Sequence, residues 1–139
     1  MKSYFKLYPI GIIRHKDSSV FIEIFERHKD GLLGLDRYSH VHVIAWFHEN
    51  DTEEKRSTLL VHPKGDRSNP LTGVFATRSP ARPNLIALFC ARIRSIEGTI
   101  IHIERIDAFD GTPVVDIKPY LSRKDSVPDA TGPDWSKKQ

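Results

Sequence analysis

Two arginines four residues apart, Arg78 and Arg82, sit in the segment Gly73–Asn84, GVFATRSPARPN, where an apolar run gives way to hydroxyl side chains and two prolines. Pro80 and Pro83 restrict the backbone around them, so the segment reads as a strand opening into a stiffened cationic loop. Guanidinium forks suit carboxylates and phosphates, and a loop already short of conformational freedom loses less entropy when it clamps one. Position alone leaves a second reading open, in which both arginines pair with acidic neighbours across a sheet.

A second polar group lies in Asp107–Tyr120, DAFDGTPVVDIKPY, where Asp110, Asp116 and Lys118 flank a tight Asp-Gly turn and a short strand. Asp116 and Lys118 are two apart, so a strand presents both on one face. On spacing alone they form a surface ion pair of small value. Lining a cleft instead, Asp116 would accept a proton or orient an amine, and Lys118 would hold a phosphate.

His40, His42 and His48 share one face of a further strand, which raises the question of a metal. At about 3.4 Å per residue His40 and His48 lie about 27 Å apart, so only His40 and His42 could share an ion. No carboxylate stands at a matching spacing, and hydrogen-bonded histidines are favoured over a metal site. The single cysteine, Cys90, falls inside the apolar run Leu85–Ile96 and reads as a small buried thiol. Neither GxGxxG, GxxxxGK, HExxH nor GxSxG occurs, which removes the usual support for nucleotide hydrolysis and serine-hydrolase chemistry.

The elements that must hold these groups are mostly strands. Leu7–Arg14 and Val20–Phe25 are β-rich, with a turn at His28–Gly31. Val41–Phe47 puts Val41, Val43, Ala45 and Phe47 on one face, as a strand in a covered sheet does. Ser57–Val61 resumes as a strand after the charged stretch Asp51–Arg56, and Pro63–Asn69 is a flexible basic loop. Leu85–Ile96 fits a strand or a helix by periodicity, but Gly98 and the β-rich Thr99–Ile106 favour a hairpin. Val114–Ile117 adds a last short strand.

With 139 residues, 39% hydrophobic, the chain has enough material for one core, and a net charge of +3 permits contact with a nucleic-acid backbone without requiring it. The expectation is a mainly β fold, a small antiparallel barrel over residues 1–121 with a polar tail over 122–139. The N-terminus resembles neither a signal peptide nor a membrane helix, which points to the cytoplasm.

Four stretches together resemble the TsaA-like family, also called the tRNA methyltransferase O family: PIGIIR (Pro9–Arg14), DGLLGLDRYSHVHVIAWFH (Asp30–His48), GVFATRSPARPN (Gly73–Asn84) and DGTPVVDIKPY (Asp110–Tyr120). The resemblance implies a β-barrel, paired as a homodimer, that binds S-adenosylmethionine and methylates N6 of threonylcarbamoyl-adenosine beside the tRNA anticodon. It places Phe47, His48, Arg78, Leu88, Ala108, Phe109, Asp110 and Gly111 at the cofactor. It leaves Asp116 and Lys118 for the chemistry, and Lys64, Arg67, Arg82 and Asn84 for the RNA. Between Arg14 and Val20 the chain has only HKDSS, shorter than the family's usual insert. An alternative on the same barrel is therefore a non-catalytic protein that binds S-adenosylmethionine, a related nucleotide or RNA.

Overall fold

The computed structural model describes residues 3–137. Among these residues eight strands form, β1 (Gly11–Lys16), β2 (Ser19–Ile24), β3 (His40–Trp46), β4 (Leu60–Val61), β5 (Thr72–Gly73), β6 (Ile86–Glu97), β7 (Ile100–Ile103) and β8 (Pro113–Pro119). Six of them close an antiparallel barrel in the order β1-β2-β7-β6-β3-β8. Period-two patterning accounts for its core: Ile13, Ile22, Val41, Val43, Ile101 and Val114 point inward and are fully buried or nearly so. The chain divides into two compact units, one of residues 1–48 and 86–120, which contains the barrel, and one of residues 49–85 and 121–139.

Two hairpins turn on two residues each, at Asp17–Ser18 and at Gly98–Thr99. Both need a left-handed residue, supplied by Asp17 (φ 56°) and Gly98 (φ 62°). The sequence HKDSS thus closes β1 onto β2 with no protruding loop. β1 begins at Gly11 rather than at Leu7, after Pro9, which has no N–H to give to a ladder. At Gly11 the neighbouring strand approaches so closely that a Cβ would meet the Glu23 carbonyl oxygen at 2.5 Å. Gly11→Ala should therefore destabilise the barrel by about 1–3 kcal/mol in a denaturant titration, because the obstructing atom is backbone.

Where β8 pairs with β3 it carries one extra residue, Val115, between the rungs Asp116↔Ile44 and Val114↔Ala45. Strand faces alternate, so this bulge reverses which side chains face outward after it. Val114 points inward, yet Asp116 and Lys118 stand beside the outward Ile44 and His42, and Ile117 packs against the core. Without the bulge a carboxylate and an ammonium would point into the barrel.

The second unit is mostly loop, with the two-stranded ribbon β4–β5 and a short helix α1 (Glu53–Arg56) capped by the Thr52 hydroxyl, which accepts from Lys55 N at 3.1 Å. The strand expected at Ser57–Val61 is confined to Leu60–Val61. The tail carries a second helical turn, α2 (Ser122–Asp125), and a 3₁₀ turn at Asp134–Lys137. No helix among the described residues is long and apolar enough to cross a membrane.

Candidate functional site

In the barrel unit, the chain between β7 and β8 forms a turn that is tied down at three points. Gly111 N donates to Ile13 O at 2.8 Å, His15 N donates to Asp110 Oδ1 at 2.8 Å, and the Thr112 hydroxyl donates to Phe109 O at 2.6 Å. Gly111 holds φ 87°, a conformation that glycine adopts without a Cβ penalty. The result is a rigid turn that presents Phe109 and Asp110 to solvent, with Phe109 67% exposed. Its residues 105–110 and His15 line a cavity of about 610 Å³.

His15 was not singled out by sequence reasoning, and the structure brings it to this turn. Its Nε2 is shut away from solvent and has no hydrogen-bond partner. A buried polar nitrogen left unpaired costs about 1–3 kcal/mol, and at the wall of a cavity a ligand atom can supply the missing partner. The only sequence signal for it was the shortness of HKDSS, which makes His15 the last paired residue but one before the β1–β2 turn.

Four of the other expected residues are distributed around the barrel. Phe47 follows the end of β3 and packs partly against the core, and His48 opens the 3₁₀ turn after it. Leu88 lies on the outward face of β6, 48% exposed, beside Cys90. The cysteine is exposed rather than buried as expected, because β6 turns Ala87, Phe89 and Ala91 toward the partners of its inward face and Leu88 and Cys90 away. Ala108 packs against the core.

Asp116 and Lys118 form the exposed pair that spacing suggested, with Nζ 3.6 Å from Oδ2, and Asp116 Oδ1 also accepts from Ile117 N at 2.9 Å. Four residues of extended strand, about 13 Å, separate Asp116 from Thr112. The structure does not bring this pair to the Phe109–Asp110 turn. His40 and His42 instead surround Tyr120, with ring centroids 6.2 and 5.3 Å from it, and His40 Nδ1 is 2.7 Å from the Ser39 hydroxyl. Among the described residues no group of three or more His, Cys, Asp or Glu could hold a metal ion.

In the second unit, the two loop arginines have different jobs. Only Thr72–Gly73 is strand; Val74–Ala76 forms a 3₁₀ turn instead of the expected strand, closed by Thr77, whose N–H and hydroxyl both donate to Val74 O, at 3.1 and 2.9 Å. Arg82 Nη1 donates to Thr77 O at 3.2 Å and to Ser79 O at 3.1 Å, while Arg56 Nε donates to Pro83 O at 2.9 Å. Arg82 thus braces the loop from inside. Arg78 has no hydrogen-bond or ion-pair partner among the described residues and lies at a cavity of about 1140 Å³ with Lys55, His62, Lys64 and Trp135. Arg82→Ala should lower stability by about 1–2 kcal/mol, read as a melting temperature lower by roughly 3–8 °C.

The expected RNA contacts Lys64, Arg67 and Asn84 are all exposed in this unit. The loop 63–69 is more ordered than its composition suggests. His62 Nδ1 lies 2.9 Å from Asn69 O, Asn69 Nδ2 donates to Pro63 O at 2.9 Å, and Asp66 accepts from both the hydroxyl and the N–H of Ser68. Those two bonds to Ser68 hold the exposed Asp66 carboxyl below its usual range.

Residues 5–126 match the model of the tRNA-methyltransferase O N-terminal domain. A probable S-adenosyl-L-methionine-binding protein of Pyrococcus horikoshii is 50% identical over 121 residues, covering 87% of this chain and 86% of that protein. The mouse tRNA (adenine(37)-N6)-methyltransferase is 41% identical over 103 residues, 74% of this chain but 23% of that enzyme. The crystal structure of TrmO from Pseudomonas aeruginosa superposes with a TM-score of 0.77 at 29% identity, over 97% of this chain and 63% of that one. This chain belongs to the tRNA methyltransferase O family and corresponds to its N-terminal barrel domain.

Proposed function

We propose that the protein is an S-adenosylmethionine-dependent methyltransferase acting on N6 of threonylcarbamoyl-adenosine next to the tRNA anticodon. The observation that carries the proposal is the pinned turn Ala108–Gly111 with the unpartnered His15 Nε2 beside it, in a chain of this family. The residues present fit the cofactor. Phe109 offers an apolar ring face for adenine, Asp110 a carboxylate for a positively charged sulfonium, and His15 a nitrogen for a hydroxyl or amine.

When bound, S-adenosylmethionine supplies a methyl group activated by its sulfonium. The protein's part would be to position the cofactor against its acceptor, and a turn held by three hydrogen bonds would do so at little further entropic cost. Arg78, without a hydrogen-bond or ion-pair partner among the described residues and set on a braced loop, is assigned to an anionic group of the cofactor, and Lys64, Arg67 and Asn84 to RNA. Asp116 and Lys118 remain the proposed acceptor-side pair. The same reading has the protein act as a homodimer in the cytoplasm, and sedimentation tests the dimer.

The decisive experiment follows label from S-adenosylmethionine into tRNA carrying the threonylcarbamoyl group. Label on the modified adenosine is expected, and none on tRNA that lacks the modification. Cofactor binding by calorimetry with no transfer would instead establish the second reading, a binding protein on the same barrel. That reading is favoured by the two-residue β1–β2 turn, which leaves no loop there to cover a cofactor.

A further inference from the structure

β1 and β8 pair over two rungs, Gly11↔Val114 and Ile12↔Pro113, with Ile13 N donating on to Thr112 O, and no rung joins them beyond Val114. The 3₁₀ segments Glu26–Leu32 and Leu35–Arg37 wall the opening, leaving a cavity of about 950 Å³. Ile10, Ile24, Leu32 and Ile117 give it apolar walls. About 17 Å of extended strand, Thr112 to Ile117, separates it from the Phe109–Asp110 turn.

The polar groups of this cleft are matched to each other in type and yet are not used by each other. Arg27 and Arg37 line it together with Asp30, but no ion pair joins them. The Arg27 guanidinium is held 5.0 Å over the Phe25 ring, and Arg37 has no side-chain partner among the described residues. His28 lines the same space, and its Nε2 is shut off from solvent without a hydrogen-bond partner. Arg27, Asp30 and Arg37 are exposed and available to a ligand, whereas the shielded His28 nitrogen has neither water nor a protein partner.

We propose that this cleft is a second ligand site, for a nucleotide whose base carries an exocyclic amine. The polar parts of such a ligand meet Arg27, Asp30 and Arg37, which form no ion pair with one another. The flat base lies on the isoleucine and leucine walls, its N–H edge donates to Asp30, and the phosphate takes the guanidiniums of Arg27 and Arg37. A guanine edge, with two adjacent N–H donors, suits a carboxylate that accepts from both. The site is separate from the proposed cofactor turn and does not depend on methyl transfer.

The test is calorimetry of the full chain with guanosine 5′-monophosphate, in saturating S-adenosylmethionine so that the cofactor site is filled. Binding is expected, weakened about tenfold in Arg27→Ala and again in Arg37→Ala, with S-adenosylmethionine affinity unchanged in both. Inosine 5′-monophosphate, which lacks the 2-amino group, should bind more weakly. The ¹⁵N resonance of the His28 ring should shift on addition of the nucleotide. A guanosine-containing single-stranded oligonucleotide identifies the source. Tighter binding than the free nucleotide, lost in Arg37→Ala, points to RNA, and binding of the free nucleotide alone points to a metabolite. No binding at millimolar nucleotide, displacement by S-adenosylmethionine, or affinity as high in both arginine variants as in the unaltered chain overturns the proposal.

Discussion

Asp110→Asn should separate anchoring from charge at the barrel turn, lowering affinity for S-adenosylmethionine about tenfold while affinity for S-adenosylhomocysteine changes little. The two ligands differ in the sulfonium charge and its methyl group. An asparagine side-chain oxygen still accepts from His15 N, so the turn keeps the 2.8 Å tie that holds it to β1. What the substitution removes is a negative charge on an exposed turn, and near a protein surface such a charge a few ångströms from a cation is worth on the order of 1–2 kcal/mol, or about a factor of ten. Asp110→Ala removes the tie as well and should weaken both ligands. If Asp110→Asn weakens both equally, the carboxylate acts only through the geometry of the turn, and the sulfonium must be stabilised by other groups.

That pair of variants bears on how the fold supports its site. The turn is rigid because β1 and β8 are neighbours in a closed barrel, so a backbone N–H of one strand end and a carboxylate from the other meet without a long loop. The two-residue β1–β2 hairpin brings His15 to the same place. The hairpin leaves the His15 ring at the cavity wall.

Much of the barrel was legible in the chain because period-two burial is a local signal. The alternation Val41, Val43, Ala45 and the turn residues Gly98 and Gly111 each state their structure within a few positions. Three features were not legible. The Val115 bulge depends on the register of β8 against β3, which no local pattern in PVVDIKP specifies, and it decides that Asp116 and Lys118 face outward. Cys90 and Leu88 are exposed because the alanines and Phe89 of β6 take its inward face, although the run reads as continuously apolar. The unpaired nitrogens of His15 and His28 follow from what the fold fails to place near them.

The division of labour between the loop arginines was equally hidden, since spacing treats Arg78 and Arg82 alike. It leads to opposite expected outcomes. Arg78→Ala should leave the melting temperature within the range of ordinary surface substitutions, because no hydrogen bond or ion pair is lost, yet weaken S-adenosylmethionine binding roughly tenfold to a hundredfold through loss of a charge-assisted, two-pronged contact. Arg78→Lys should recover only part of that, since an ammonium keeps the charge but not the fork. Arg82→Ala should lower the melting temperature first, and affinity only as the loop loosens, because its guanidinium is spent on Thr77 O and Ser79 O. Measuring both quantities on both variants resolves the assignment. If Arg78→Ala binds cofactor as tightly as the unaltered chain, the guanidinium serves RNA phosphates instead, and its loss would then appear as a shallower salt dependence of tRNA binding, with the slope reduced by about one.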